Sequence, residues 1–233
     1  MLVQTAVRAH SPIPSAVIAR GAGDGTAAAL QSIGTVCQFG RNQTIFSDGE
    51  DANYSYKVMS GAVRLVKLMP DGRRHIAGFQ LAGDLFGIEW NGEYALTAEA
   101  VSEVTAIRYA RIHLERLSDE RADVRKQLTE RLRYDLRAAH DHLVSLGCQS
   151  AKERVVSFLL SLARRTDANG GDPIEMPMGR QDIADYLGLT IETVCRTLSD
   201  LKDVRVITIP NRHQIVVRSL ERLEAILESD IEA

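Results

Sequence analysis

Cysteine is the first shortage. The 233-residue chain carries three, Cys37, Cys148 and Cys195, far apart, with no C-x-x-C pair and no Cys/His cluster at metal-ligand spacing. They read as three unrelated thiols, reduced in a cytosolic chain. A zinc or iron–sulfur site draws on about four close ligands, so no metal and no cofactor is expected. Long hydrophobic runs are missing too. No stretch approaches the roughly 18–20 apolar residues of a membrane span, and the N-terminus lacks a basic-then-apolar signal pattern, so a cytoplasmic protein with no membrane partner is expected. With no Gly-rich phosphate loop, no nucleophile motif and no spaced metal triad, nothing points to an enzyme. Positive charge is not in excess either: 28 Lys and Arg against 31 Asp and Glu leave a net −3. No global field draws the chain to a polyanion, and any contact with nucleic acid has to be local.

What is present is an ordinary globular composition, 45% hydrophobic and 25% charged, at a length that suits two small domains. Residues 1–30, rich in Ala, Gly, Ser and Pro, read as a flexible lead-in. Residues 31–111 change to short β-favouring runs between glycine turns, with runs at 56–59, 62–68 and 104–109 and a hairpin turn at Pro70-Asp71-Gly72. Strands at this spacing predict a small antiparallel roll or barrel. Residues 112–147 read as one long helix, in which Leu117, Val124, Leu128, Leu132, Leu136, Ala139, Leu143 and Leu146 recur mostly at spacings of three and four. So narrow a seam fits a partner helix, with Leu117, Val124, Leu128, Leu132, Leu136 and Leu143 as dimerisation contacts. The alternative is that this helix packs only on its own roll. A second helix follows at 151–165, with Val155, Val156, Phe158, Leu159 and Leu162 inward, and then a turn-rich stretch at 166–173. The fold class is therefore α+β: an antiparallel roll, a long helix, and a last domain at 148–233 defined by the next motif.

Residues 180–202 read as two helices joined by a tight turn. Ala184 is small where the helices cross, and Gly188 ends the first one in a left-handed conformation that glycine adopts cheaply. Leu187, Leu189, Val194 and Leu198 form the apolar wedge. Thr190 is a good N-cap for the second helix, and Glu192 sits favourably near its positive end. These offsets match a helix-turn-helix, whose second helix turns its N-terminal residues to base edges in the major groove of double-stranded DNA. Here those are Ile191, Glu192, Cys195 and Arg196. Arg196 can donate a bidentate pair to guanine, and Glu192 can accept from a cytosine amino group. The plain alternative for that pair is a surface ion pair at i and i+4. Runs at 204–209 and 214–218 flank a polar tip, Pro210-Asn211-Arg212-His213, and read as a wing. Arg212 and His213, with Arg180, Gln181, Thr190 and Thr193, are candidates for backbone phosphate contacts that fix register.

At this point the chain resembles, over nearly its whole length, the CRP/FNR family of bacterial regulators, and most closely its FixK-type branch. The resemblance rests on GRQDIADYLGLTIETVCRTLSDL at 179–201, on AGDLFG at 82–87, and on the order of roll, long helix and winged motif. It implies a cyclic-nucleotide-binding-like roll and a homodimer through the long helix. It also implies activation at two-fold symmetric promoters with RNA polymerase, a TTGA-type half-site, and a role in low-oxygen respiration or nitrogen fixation. Glu192 and Arg196 fall at the family's base-reading positions, and Cys195 stands where relatives such as FNR have serine. Two departures matter. The N-terminal cysteines of an oxygen-labile cluster are absent from residues 1–30, and no Arg-Ser pair follows Gly83 to hold a cyclic phosphate. A phosphate would then lack its charge-assisted partner. The roll is expected to be scaffold, the alternative being a ligand-gated regulator with a cyclic nucleotide, or haem on His75 or His113. Cys195, set against DNA phosphates, would gain polarity and negative charge on oxidation, which should weaken binding; the alternative is a small reduced residue in the serine's place.

Overall fold

The computed structural model describes residues 24–89, 91–166 and 173–229. Most of the lead-in expected at 1–30, and most of the turn-rich stretch at 166–173, lie outside the described residues. The lead-in also ends earlier than expected, because α1 (Asp24–Ser32) is already helical. Its Thr26 hydroxyl donates to Asp123 at 2.6 Å, tying the segment to the long helix.

Eight strands follow: β1 (Gly34–Phe39), β2 (Thr44–Phe46), β3 (Tyr54–Ser60), β4 (Val63–Leu68), β5 (Arg74–Gln80), β6 (Leu85–Phe86), β7 (Thr97–Ala100) and β8 (Val104–Ala110). They form two four-stranded antiparallel sheets, ordered β1-β8-β3-β6 and β2-β7-β4-β5. Alternating apolar residues bury Phe46, Tyr56, Val58, Phe86, Tyr94 and Val104 between the sheets, as strands with one covered face require. Phe46 stacks on Tyr94 at 3.7 Å. The β4–β5 hairpin closes where Pro70-Asp71-Gly72 predicts, with Gly72 at φ 84° and its N–H donating to Met69 O at 2.9 Å.

The long helix departs from the expectation. It is two helices, α2 (Arg111–Glu120) and α3 (Ala122–Cys148), broken at Arg121, whose backbone is extended at φ −128° and ψ 111°. Neither proline nor glycine marks the break. The Arg121 N–H closes α2 on Leu117 O at 2.9 Å, and its guanidinium grips Asp123 at 2.7 Å at the start of α3. The seam is not one continuous face either. Val124 is completely buried within the single chain, and Leu128 packs on Ile107, Tyr109 and Leu114. Here the helix covers its own roll, so Val124 is no contact open to a partner. Leu117 and Leu132 are half-buried, whereas Leu136 and Leu143 are 59% and 65% exposed, beside Val144.

The last domain holds α4 (Ala151–Arg165), β9 (Pro173–Glu175), α5 (Arg180–Leu187), α6 (Ile191–Asp203), β10 (Ile207–Asn211), β11 (Gln214–Val217) and α7 (Leu220–Ser229). Helix α4 begins on a capping box in which Glu153 N–H donates to Ser150 Oγ and Ser150 N–H to the Glu153 carboxylate, satisfying two donors a helix start leaves open. All five residues expected inward on α4 are buried. Residues 204–206, expected as strand, instead form a turn. Val204 caps α6, Arg205 is left-handed at φ 57°, and β10 begins only at Ile207. Strand β9 makes the wing a three-stranded sheet ordered β10-β11-β9, and α7 packs on α4 with Arg164 pairing Glu224 at 2.8 Å.

Where roll, long helix and last domain meet, His142 of α3 stacks on Tyr186 of α5 at 4.1 Å and lies 6.4 Å from His75 of β5. Burial, reinforced by the nearby His75, pushes the His142 pKa down from 6.5 to about 4. The unfolded chain therefore binds the extra proton first as pH falls. Stability contributed by neutral His142 is complete above about pH 6.5 and is lost on descent toward pH 4. Melting temperature should drop across that window, and His142→Phe should flatten the part of the slope that belongs to this ring. An unchanged slope in thermal melts of the variant would contradict the assignment.

Candidate nucleic-acid interface

Helix α5 starts at Gly179, whose N–H donates to Asp182 at 3.3 Å, and stops at Gly188, left-handed at φ 63°. The Leu189 N–H then closes on Ala184 O at 3.0 Å, turning the chain into α6. Thr190 is the N-cap, its Oγ1 accepting from Thr193 N at 3.2 Å. Val194, Thr197, Leu198 and Leu201 are buried along one stripe of α6. Geometry then dictates the opposite stripe: Glu192, Cys195 and Arg196 are exposed, with Ile191 and Thr193 half-buried beside them.

Among the described residues no ion pair joins Glu192 to Arg196, so the plain alternative for that pair is not realised. The Glu192 carboxyl is held below its usual range by its own backbone N–H and by the Thr190 hydroxyl, so it presents an acceptor. Gln181 is exposed and donates to Asp185 at 2.7 Å. Arg180 is half-buried against Met176, with its charge in electrostatic reach of Cys195; burial holds its pKa below the ordinary arginine value.

The wing residues divide. Arg212 is exposed at the tip, while His213 is half-buried, its ring accepting from Arg212 Nε at 3.1 Å and lying 3.4 Å from Met176 O. The structure thus places His213 as an internal support of the wing and Arg212 as its outward cation. The structure brings Thr190, Ile191, Glu192, Thr193, Cys195, Arg196 and Arg180 to the start of α6; Arg212 and His213 stand apart on the hairpin.

Sequence reasoning missed Asp182 and Asp185, which turn away from this face toward the roll. Arg64 donates to Asp182 at 3.1 Å, and Arg74 to Asp182 at 2.9 Å and to Asp185 at 2.5 Å. These partners lie more than a hundred residues apart, and no local pattern announces them. Between the outer face of the roll and the helices that cover it, a cavity of about 40 Å³ is lined by Leu30, Lys57, Gly83, Tyr109, Gln127 and Arg131, room for a few waters. No described helix is long and apolar enough to cross a membrane.

Residues 153–226 match the Crp-like helix-turn-helix domain, and residues 36–121 the cyclic nucleotide-binding domain. The chain is 42% identical over 227 residues to the nitrogen fixation regulation protein FixK of Azorhizobium caulinodans, covering 92% of each chain. It is 37% identical over 174 residues to the transcriptional activatory protein AadR of Rhodopseudomonas palustris, covering 74% of this chain and 73% of that one. Its fold is similar to the structure of FixK2 from Bradyrhizobium japonicum, with a TM-score of 0.78 and 38% identity over 83% of this chain and 96% of that one.

The cap on α6 gives a stability test. Thr190→Ala leaves the Thr193 N–H without its acceptor and should destabilise the protein by about 1 kcal/mol, whereas Thr190→Ser should lose far less. Urea denaturation of the two variants beside the parent measures the difference.

Proposed function

The chain belongs to the CRP/FNR family of DNA-binding transcription regulators and is FixK-like, and on that premise we propose that it acts as a homodimer reading a palindromic TTGA-type site. Two copies pair through the open part of α3, around Leu132, Leu136 and Leu143 with Leu117 at its margin, and set their two α6 helices in successive major grooves. The observation that carries this reading is the exposed stripe of Glu192, Cys195 and Arg196 on a helix whose other stripe is fully buried. In this pose Arg196 donates to guanine and Glu192 accepts from cytosine, while Ile191 and Cys195 meet the bases between. Gln181, Thr190, Thr193, Arg180 and Arg212 lie toward phosphates.

The relatives' printed names, a nitrogen fixation regulation protein and a transcriptional activatory protein, support a role in activating transcription; work with RNA polymerase at nitrogen-fixation or low-oxygen promoters extends that reading. A DNA partner accords with a cytoplasmic protein. The reading needs no effector. The cavity between the roll and α3 measures only about 40 Å³, and Arg131, which borders it, is already paired with Asp84. His75 lies 6.4 Å from the His142 ring, and His113 is exposed on α2. The three thiols are unpaired, and among the described residues no cluster of three or more His, Cys, Asp or Glu is placed to hold a metal.

Selection from random duplexes should return a two-fold site with half-sites one helical turn apart. Each good base contact contributes about 1–3 kcal/mol of discrimination, so Glu192→Ala with Arg196→Ala should lower affinity for the selected site by at least about tenfold. Equal affinity of parent and double variant for every duplex would remove the basis of the reading.

Oxidation supplies a second test. Peroxide converts the exposed Cys195 thiol to a sulfenic acid, itself being reduced to water, and adds polarity where phosphates approach. Gel shifts after peroxide should show lost binding in the parent and retained binding in Cys195→Ser. Equal loss in both would assign the effect elsewhere.

A further inference from the structure

Two arginines from different parts of the chain end on one buried carboxylate. Asp84, in the turn between β5 and β6, is 1% exposed at its side chain and accepts from Arg131 Nη1 of α3 at 2.6 Å. Its other oxygen accepts from Leu81 N–H at 2.8 Å and from Arg165 Nη2 at the end of α4. The turn is itself fixed to the sheet: Gly83 N–H donates to Val58 O, and Val58 N–H to Asp84 O, both at 2.9 Å. Arg131 is further held by Gln80 at 2.9 Å and by Asp135, and Arg165 by Phe79 O at 3.1 Å. Burial opposes ionisation of Asp84, but the Arg165 and Arg131 charges outweigh it and hold the carboxyl below its usual range.

The lever arms make this contact matter. Helices α3 and α4 join at Gln149 and Ser150. Arg131 lies about 25 Å back along α3 and Arg165 about 21 Å forward along α4, at 1.5 Å per residue. The two helices therefore form a V whose far ends converge on Asp84. At those lengths, opening the V by about 2–3° moves its ends apart by about 1 Å, enough to break charge-assisted hydrogen bonds. Beyond α4 the chain continues into α5 and α6, so the angle of the V sets where the reading helix stands relative to α3.

We propose that Asp84 is a positioning residue for DNA recognition: by holding Arg131 and Arg165 together it closes the α3–α4 angle and fixes α6 without an effector. The proposal rests on the effector-free, DNA-reading function above. Removing the acid leaves two buried guanidiniums facing each other, an arrangement that drives the V open. Only the closed fraction then binds DNA, and the apparent affinity falls by that fraction.

The test separates this proposal from the function it rests on. Spin labels are placed on Cys195 and on Leu68→Cys, an exposed position of the roll, with Cys37→Ser and Cys148→Ser. The labelled chain is diluted into excess unlabelled chain, and pulsed EPR reads the intrachain distance. The expected result is a narrow distribution in the parent and a broad one in Asp84→Asn, with about a tenfold loss of affinity for the selected duplex, within the usual range of coupling between sites. Arg165→Gln should behave alike, and the double variant should lose no more than the worse single, because both act through one contact. Should Asp84→Asn fold poorly, Arg165→Gln carries the distance measurement alone. A narrow, unshifted distance in the variants overturns the proposal even if their melting temperatures fall, and so do additive losses of affinity. If the parent itself binds no duplex, the functional reading fails while the distance still decides the role of Asp84.

Discussion

Phe79 of the roll, packed 6.3 Å from Phe158 and 5.5 Å from Tyr186, is the contact on which the arrangement of this molecule depends. Through it the roll and the helix-turn-helix share one buried cluster: Ala62, Val66, Ile76 and Val101 on one side, Val155, Leu159, Ile183 and Leu187 on the other. Apolar burial is non-directional and scales with area; it holds the two parts together but leaves their angle undetermined. Direction comes from the charges around the cluster, with Arg64 and Arg74 gripping α5 on one flank and Asp84 gathering arginines on the other. Tyr186 sits between them with its hydroxyl pushed up to about 12 by burial, so it is neutral near pH 7.

The same separation of labours runs through α6. One stripe is committed to the core, which frees the other from any structural duty and lets it carry an acid, a thiol and a base within two turns. The charge balance of the whole chain says nothing of this. In a net −3 protein, two acids of the preceding helix, Asp182 and Asp185, are neutralised by arginines of the roll, which lowers the negative charge beside α6.

Much of this was legible in the sequence. Three strands of the roll, β3, β4 and β8, with α4, the turn at Gly188 and the cap at Thr190, are written in local periodicity and turn chemistry, and they stand where the pattern places them. The break at Arg121 was not, because no residue there is a helix breaker; Asp123 beside it pairs with Arg121 and accepts from Thr26, almost a hundred residues away. Alanine and glycine dominate the neighbourhood of α1 and carry no helix signal, yet its anchor is that same distant carboxylate. Val124 looked like one more member of a seam, and only the three-dimensional packing shows that the seam turns from the chain's own roll to open surface along its length. Asp84 lies in the AGDLFG run at 82–87, which carries no sign of its partners 47 and 81 residues further on.

One side chain at the α3–α4 joint carries a last consequence. Arg154 donates through Nε to Gln149 O at 3.0 Å, through Nη2 to Leu146 O at 2.7 Å and through Nη1 to Leu187 O at 3.1 Å. A single planar group therefore closes the trailing ends of α3 and α5 together, where each helix has carbonyls without partners of its own. Lysine, with the same charge but a compact ammonium on a flexible stem, has no fork to span three carbonyls fixed in different directions. Over evolutionary drift this position is thus bound to one amino acid by shape and not by sign, and a homologue with lysine there has to brace the joint with different atoms.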